Sequence, residues 1–437
     1  MVSKKRYIIA LVIAACIVLM VICKPADKGK PYNDYFAALN RELKTNGIAL
    51  PCIIIDLDRV DHNIHQMNSI LKAPLHYRIV TKSLPSIELV DYVMKKTNTN
   101  KLMEFHQPYL SLIIKKFGYN LDILLGKPFP IQSVQEFYND FPKSEYSKLT
   151  DSVQWLIDNK QRLSEYLSFA RNNSLKLKVN IEIDVGLHRG GLKTVEELNE
   201  LLSIIQKNKD NLEFTGFMGY DGHLLHIPVF IGSKEKAVRK EFEQIMKRYK
   251  KFVDYANNTY PELFKKKLTF NSGGSSTYVL YNSSYVVNDI AAGSCVVKPS
   301  TFDFFTLKKH LPAIFIAAPI LKKINSYEVP FLERFKWLIE WWDPNCRQTY
   351  YTYGGGWNEV VEAPEGVVVN ALTASPPNEN LLPNQSMLNG SLSTKLEVGD
   401  FVFYRPKQGD AIFQFRDIIV IRNGKIIASW KPFPERF

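Results

Sequence analysis

Cysteine is scarce in this 437-residue chain: Cys16, Cys23, Cys52, Cys295 and Cys346 are all it has. An odd handful without metal-site spacing builds neither a disulfide framework nor a zinc cluster, so cysteine usage leaves the compartment open. Long apolar runs are scarcer still. A single uncharged stretch, Tyr7 to Cys23, approaches spanning length, which excludes a polytopic membrane protein. No collagen period, heptad array or short repeat is present. The formal charge is +12, yet outside the N-terminus the longest basic run is Lys265-Lys266-Lys267. That run closes a predicted helix and reads as a solvated face, without the clustered basic surface that nucleic acid requires. Nucleic-acid partners are set aside.

What remains is the composition of a large globular protein, 46% apolar and 23% charged. The length accommodates one large domain and a smaller one, with enough core to need no disulfides. Lys4, Lys5, Arg6, Lys24, Lys28 and Lys30 face Asp27 alone in the first 30 residues. They bracket the 17-residue uncharged run at both ends, and the positive tail favours a cytoplasmic N-terminus. Ile13-Ala14-Ala15-Cys16 has lipobox-like spacing, but apolar residues continue past Cys16. Residues 1–30 are expected to be a membrane anchor or signal segment, with the rest of the chain outside the cytoplasm. An exported soluble protein is the alternative.

From about residue 50, short β-type runs alternate with helical patterns. The runs are CIIID at Cys52–Asp56, HYRIVT at His76–Thr81, KLMEFH, LDILLG, SVQWLI, KVNIEIDVG, EFTGFMGY and KLTFNSGG. Such alternation predicts parallel strands with helical crossovers. Eight units in about 250 residues match a closed (β/α)₈ barrel, an α/β fold, and the count alone leaves an open doubly wound sheet as the alternative. After about residue 300 the texture turns to β-runs and turn signals, predicting a smaller β-rich domain over 301–437 after a barrel over 31–300. Ser375–Ser393, rich in Pro, Asn and Ser, reads as a long loop.

In a barrel, reactive groups sit where strands end. Lys82 ends the Arg78-Ile79-Val80-Thr81-Lys82-Ser83 stretch, where desolvation would free its amine for Schiff-base chemistry; a solvent-facing cap is the bland alternative. Asn271-Ser272-Gly273-Gly274-Ser275-Ser276-Thr277 follows a strand, with paired glycines that let backbone N–H groups converge on a phosphate. Glu182–Gly191 carries an acid and Arg189 at a third strand end, where a surface ion pair is the alternative. Gly219-Tyr220-Asp221-Gly222-His223, with His226 close behind, marks a fourth.

Taken in chain order, Arg78–Ser83, Glu182–Gly191, Gly219–His223 and Asn271–Thr277 resemble the fold-type III pyridoxal-phosphate enzymes, which have the alanine racemase N-terminal-type barrel. Within them they are similar to the D-threonine aldolase and D-serine dehydratase family. Pro51, Asp56, Asp58 and Asn63 match an opening PxxxxDLDxxxxN-like stretch. The likeness covers most of 50–300, and returns more weakly over about 396–430, where it implies a D-serine dehydratase-like C-terminal domain. It implies that Lys82 carries pyridoxal 5'-phosphate as a Schiff base, and that Ser272, Gly273, Gly274 and Ser275 cradle its phosphate. Arg189 would stand near the cofactor ring, weakening the electron sink so that aldol cleavage or racemisation outruns transamination. Tyr220 and His223 would line the pocket, His223 moving the substrate hydroxyl proton.

The chain departs from the family in two places. Ile79 and Val80 replace a proline and histidine before Lys82. Gln408 stands where a metal-binding histidine would precede Asp410; an amide oxygen is a poor transition-metal ligand, though Asp410 could still serve a hard divalent ion. The departure weighs against metal dependence. The resemblance thus implies a lyase that cleaves a β-hydroxy D-amino acid, working as a homodimer on a small amino-acid substrate. An amino-acid racemase is the alternative, its second base drawn from Tyr350, Tyr351 or Tyr353. A non-catalytic cofactor carrier ranks third.

Overall fold

The structure, a computed structural model, describes residues 11, 18, 21–283, 285–328, 331, 333–370, 374–375, 379–380 and 384–434. These fall into two compact units. One comprises Arg59–Ala313, Gln408–Phe413 and the residues from Trp430 on; the other comprises those up to Asp58, Ile314–Lys407 and Gln414–Ser429. Among the described residues no helix is long and apolar enough to cross a membrane. Most of the run expected as an anchor, residues 7–23, lies outside the described residues.

The first unit is a closed parallel barrel of eight strands, as the alternation predicts, with helices between them. Its strands differ by one from the expected set. CIIID, here β1 (Cys52–Asp56), is a strand of the other unit. The barrel consists of β2 (His76–Val80), β3 (Lys101–Glu104), β4 (Asp122–Leu125), β5 (Val153–Ile157), β6 (Leu177–Glu182), β7 (Leu212–Gly219), β8 (Thr269–Ser272) and β9 (Asp289–Ala292). Strand β9 closes the ring on β2, with Tyr77 opposite Ile290 and Ile79 opposite Ala292. The misassignment has a local cause. Cys52–Asp56 is as apolar as a barrel strand and is also followed by a helix, whereas the four residues of β9 carry little hydrophobic signal. Its place is decided by pairing with residues more than two hundred positions away.

Helix starts follow side-chain chemistry. Ser86 and Asn159 accept from backbone N–H groups of the first turns they precede, and Thr194 with Glu197 forms a reciprocal capping box. At the N-terminal end of the barrel lies Arg78, fully buried. Its Nε donates to Asp289 Oδ1 at 2.8 Å and a terminal nitrogen to Asp289 Oδ2 at 3.0 Å. The same guanidinium donates to Asp122 Oδ2 at 3.1 Å and to the carbonyls of Leu102 and Asp122 at 3.0 and 2.6 Å. One side chain therefore ties β2 to β3, β4 and β9 across the closing seam. Burial alone would raise the Asp122 carboxyl, but Arg78 and Lys101 beside it hold it well below the usual carboxylate range.

In the second unit β1 pairs antiparallel with Ile314–Ile324 and parallel with Ile418–Arg422 inside a nine-stranded sheet. Phe36, Leu39 and Leu43 of helix Asp34–Thr45 pack with Ile54, Phe315, Phe401 and Phe403 to form its core. The expected loop at Ser375–Ser393 contains a strand, Met387–Gly390, paired with Gln348–Thr352. SMLNG has no period-two alternation to announce it.

Replacing Arg78 with Met should lower stability by about 3–5 kcal/mol, because it removes the two-point ion pair from the buried Asp289 carboxylate, leaving it mainly the Asn271 amide, and leaves the half-buried Asp122 to Lys101 and Gln154. Urea denaturation of the variant beside wild type checks this; a loss under about 1 kcal/mol would show that the seam does not need its ion pairs.

Candidate active site

At the carboxyl ends of the barrel strands opens a cavity of about 600 Å³, lined wholly by residues of the barrel unit. That end is where barrels of this topology place their chemistry. Lys82, Arg189, Tyr220, Gly273, Gly274, Ser275 and Asp410 all line it. Chain segments more than three hundred residues apart in sequence thus meet at one site.

Lys82 stands in a single 3₁₀ turn, Thr81–Ser83, at the end of β2. The turn is held from below: the Thr81 hydroxyl contacts Glu104 Oε2 at 2.5 Å and the Met103 carbonyl at 2.9 Å. Glu104 also accepts from the Phe105 and His106 N–H groups, and burial pushes its carboxyl up to about 7 against those donors. Two glycines allow the backbone to close around the turn. A Cβ on Gly293 would lie 2.5 Å from the Val80 oxygen, and one on Gly409 would lie 2.2 Å from the Ser83 oxygen. The Lys82 ammonium sits 4.4 Å from the centre of the Phe105 ring. Desolvation by burial, followed by the Arg189 charge, lowers its pKa, while Asp410 works in the opposite direction. An amine tuned this way spends more of its time as a neutral nucleophile.

Across the cavity, Gly273 takes φ +77°, a conformation that favours glycine, and starts the turn that returns the chain. The loop is anchored through a fully buried carboxylate. Thr277 and Tyr281 each donate a hydroxyl to Asp221 at 2.8 Å, and Thr277 Oγ1 accepts from the Gly274 N–H at 2.9 Å. Burial pushes Asp221 up to about 6, with the two hydroxyls pulling the other way. A Cβ on Gly274 would come within 3.0 Å of the Tyr220 ring, and one on Gly222 within 2.4 Å. Arg189 completes the ring's surroundings, its guanidinium carbon 5.0 Å from the Tyr220 centroid.

Two of the sequence-predicted residues stand elsewhere. The Ser272 hydroxyl donates to the Gly219 carbonyl at 2.5 Å and shares a hydrogen bond with Tyr281, so it braces the loop and does not line the cavity. His223 is also outside the lining. Its Nδ1 is buried without a hydrogen-bond partner, and burial lowers its pKa. The next turn brings His226 to the cavity instead, edge-on to Phe304 at 5.5 Å. Two histidines three residues apart carry the same local signal, and the turn after β7 decides which one points inward. The opening motif is structural: Asp56 accepts from Tyr35 and Asp58 from the Asn423 N–H, while Asn63 bonds the Val296 and Leu311 carbonyls.

Sequence reasoning missed Phe105, Gly126, Gly293 and Phe304, which also line the cavity. The small-residue run Ala291-Ala292-Gly293-Ser294 was the available signal for the last strand end, since only small residues let backbone approach a ligand. Asp410 does reach the cavity with Gln408, whose amide donates to Thr301 at 3.1 Å. Among the described residues no group of three His, Cys, Asp or Glu side chains is placed to hold a metal.

The donor set fits pyridoxal phosphate. It offers a desolvated amine at a strand end, a glycine loop on the cavity wall packed too closely on Tyr220 and Tyr281 to carry side chains, serine groups beside it, and a guanidinium over the Tyr220 ring.

Comparison with known proteins agrees with that chemistry. The family described as alanine racemase, N-terminal domain, matches residues 55–299. A 3-hydroxy-D-aspartate aldolase from Paracoccus denitrificans (strain Pd 1222) is 23% identical over 253 residues, which is 56% of this chain. The match spans 60% of that aldolase's length. Among solved structures, D-threonine aldolase from Filomicrobium marinum superposes with a TM-score of 0.68 at 15% identity, covering 88% of this chain and 94% of that one. D-threo-3-hydroxyaspartate dehydratase from Delftia sp. HT23 follows at 0.66 and 13%, covering 88% and 98%. Alanine racemase from Bacillus anthracis gives 0.63 and 14%, with the same two coverages. At such identities these structures establish the fold. With more than half its length matched, and its barrel and lysine turn in place, the chain belongs to the alanine racemase N-terminal domain family, the fold-type III pyridoxal-phosphate enzymes.

Proposed function

We propose that this protein is a pyridoxal-phosphate-dependent lyase that cleaves a β-hydroxy D-amino acid between Cα and Cβ to yield glycine and an aldehyde. The observation that carries the reading is an imidazole, His226, in the same cavity as Lys82. Aldol cleavage needs a group to accept the substrate's hydroxyl proton as the carbon–carbon bond breaks, and a histidine suits that task near neutral pH. When bound, pyridoxal phosphate supplies the electron sink for the pair left on Cα.

The chain's own residues supply the rest. Lys82 is the amine that would hold the cofactor, and Gly273, Gly274 and Ser275 would receive its phosphate. Arg189, whose guanidinium lies over the Tyr220 ring, places a cation on the cavity wall. The relatives' names, 3-hydroxy-D-aspartate aldolase and D-threonine aldolase among them, support a β-hydroxy D-amino acid. In the racemase alternative a tyrosine takes the opposite face. Tyr350 is unsuited to that role, being fully buried with its hydroxyl bonded to Gln348 and, at 2.7 Å, to Thr394. The family resemblance supports a homodimer, and the basic residues bracketing the uncharged run Tyr7–Cys23 separately support anchorage there with the catalytic part outside the cytoplasm.

Three outcomes test this function. Protein supplied with pyridoxal phosphate should show a bound-cofactor absorbance that Lys82→Ala lacks, and D-threonine should then be converted to glycine and acetaldehyde. Absorbance with interconversion of enantiomers and no aldehyde would point to racemisation; absorbance with no turnover at all would point to a carrier. His226→Ala should lower kcat by about 10²–10⁴-fold. His223→Ala should lower it by less than about tenfold, and the reverse order would return the proton-transfer role to His223. Arg189→Gln removes a cation that depresses the Lys82 pKa, so that pKa should rise. Labelling of Lys82 in the apoprotein by an amine reagent, followed by mass spectrometry, should then reach half-maximum at higher pH than in wild type.

A further inference from the structure

A short helix in the sheet unit is arranged the wrong way round for a protein in water. Lys336–Trp342 reads KWLIEWW, and none of its residues is buried. Its two charged groups are engaged by their own unit: Glu340 Oε1 accepts from the Tyr327 N–H at 2.7 Å, and the Lys336 ammonium is 3.5 Å from Glu328. The aromatic groups face outward instead. Trp337 and Trp341, one turn apart and hence on one face, are 65% and 45% exposed, with Phe335 at 56% and Phe331 at 95%. A surface helix ordinarily buries its apolar stripe and exposes its charges, so this face needs a partner.

The chain itself indicates which partner. Lys24, the first charged residue after the uncharged run Tyr7–Cys23, sits 5.0 Å above the Trp341 ring. The backbone that follows is pinned beside the helix. Lys28 N–H donates to Asn345 Oδ1 at 2.8 Å, the Asn345 amide donates to the Ala26 carbonyl at 2.9 Å, and Lys30 N–H donates to Glu365 at 3.1 Å. Val21 and Ile22, just ahead, are 54% and 74% exposed. The end of the longest apolar run in the sequence therefore arrives at the exposed tryptophans. Tryptophan and a snorkelling lysine are the residues that settle at a membrane–water interface, where a ring meets acyl chains and an ammonium meets headgroups.

We propose that Phe331, Phe335, Trp337 and Trp341 form an interfacial face that lies in the headgroup region of a lipid bilayer, beside the point where the chain leaves it at Lys24. The inference is independent of the catalytic reading and rests on the anchorage proposed for the run Tyr7–Cys23. A monotopic contact of this kind holds a unit against the membrane surface rather than letting it swing on a tether.

The test uses the full chain reconstituted into vesicles of phosphatidylcholine and phosphatidylglycerol, with bromine placed high on the acyl chains of the phosphatidylcholine. Brominated lipid should quench tryptophan emission relative to unbrominated vesicles. The double variant Trp337→Phe, Trp341→Phe should still sediment with the vesicles and lose most of the quenchable emission. Failure of the full chain to sediment with vesicles would overturn the proposal, as would sedimentation without quenching. Conversion of a dimer to a monomer by Trp337→Glu, Trp341→Glu, without lipid-dependent quenching, would also overturn it and assign the face to a second copy of the chain.

Discussion

The fully buried Arg78 is the interaction on which the barrel most depends. A parallel barrel has no edge, so its last strand must find its first across the whole intervening sequence, and loop-closure entropy opposes that meeting. Arg78 gives the seam a specific electrostatic address. Its planar fork meets Asp289 on β9 and Asp122 on β4, and its remaining donors reach the carbonyls of β3 and β4. A guanidinium with all its donors used is one of the few ways to bury a cation at tolerable cost. Register follows from the same contact, since Arg78 stands opposite Ala291 and four residues before Lys82. The seam that closes the barrel at one end thereby sets where the reactive amine emerges at the other.

At the far end the site is built by close backbone approach. Gly293 and Gly409 let two separate chain segments press against the lysine turn, and Gly222 and Gly274 let the cavity wall press against Tyr220. Removing water from around Lys82, and placing Arg189 near it, lowers the amine's pKa without any specialised residue type. Polar groups behind the wall carry the mechanical load. Asp221 holds Thr277 and Tyr281, Ser272 braces β8 on β7, and Glu104 holds Thr81, so the residues facing the cavity are oriented by groups that never touch it.

Part of this was legible beforehand. Strand–helix alternation identified the barrel, and glycines beside hydroxyl groups at strand ends identified two cavity walls, because both signals are local in sequence and arise from local physics. Lys82 and Tyr220 were readable for the same reason, each within two residues of a recognisable strand, and Arg189 stands in the Glu182–Gly191 stretch that leaves a third. Cys52–Asp56 was not placed correctly, since a short apolar run says that it is buried without saying in which sheet, and the four residues Asp289–Ala292 were too short a signal to register. Met387–Gly390 carried no alternation at all.

What the sequence by itself determined was therefore the menu of elements and the chemistry available at their ends. Only the tertiary structure decided which elements closed on one another and which side chains turned inward. His226 faces the cavity and His223 does not, because one 3₁₀ turn after β7 rotates the chain between them. The Ser272 hydroxyl was claimed by the Gly219 carbonyl, a partner 53 residues distant. Asp410 entered the site from a segment far beyond the barrel strands. In each case the outcome depended on which group lay within hydrogen-bonding or packing distance in space, and separation along a chain carries almost no information about that.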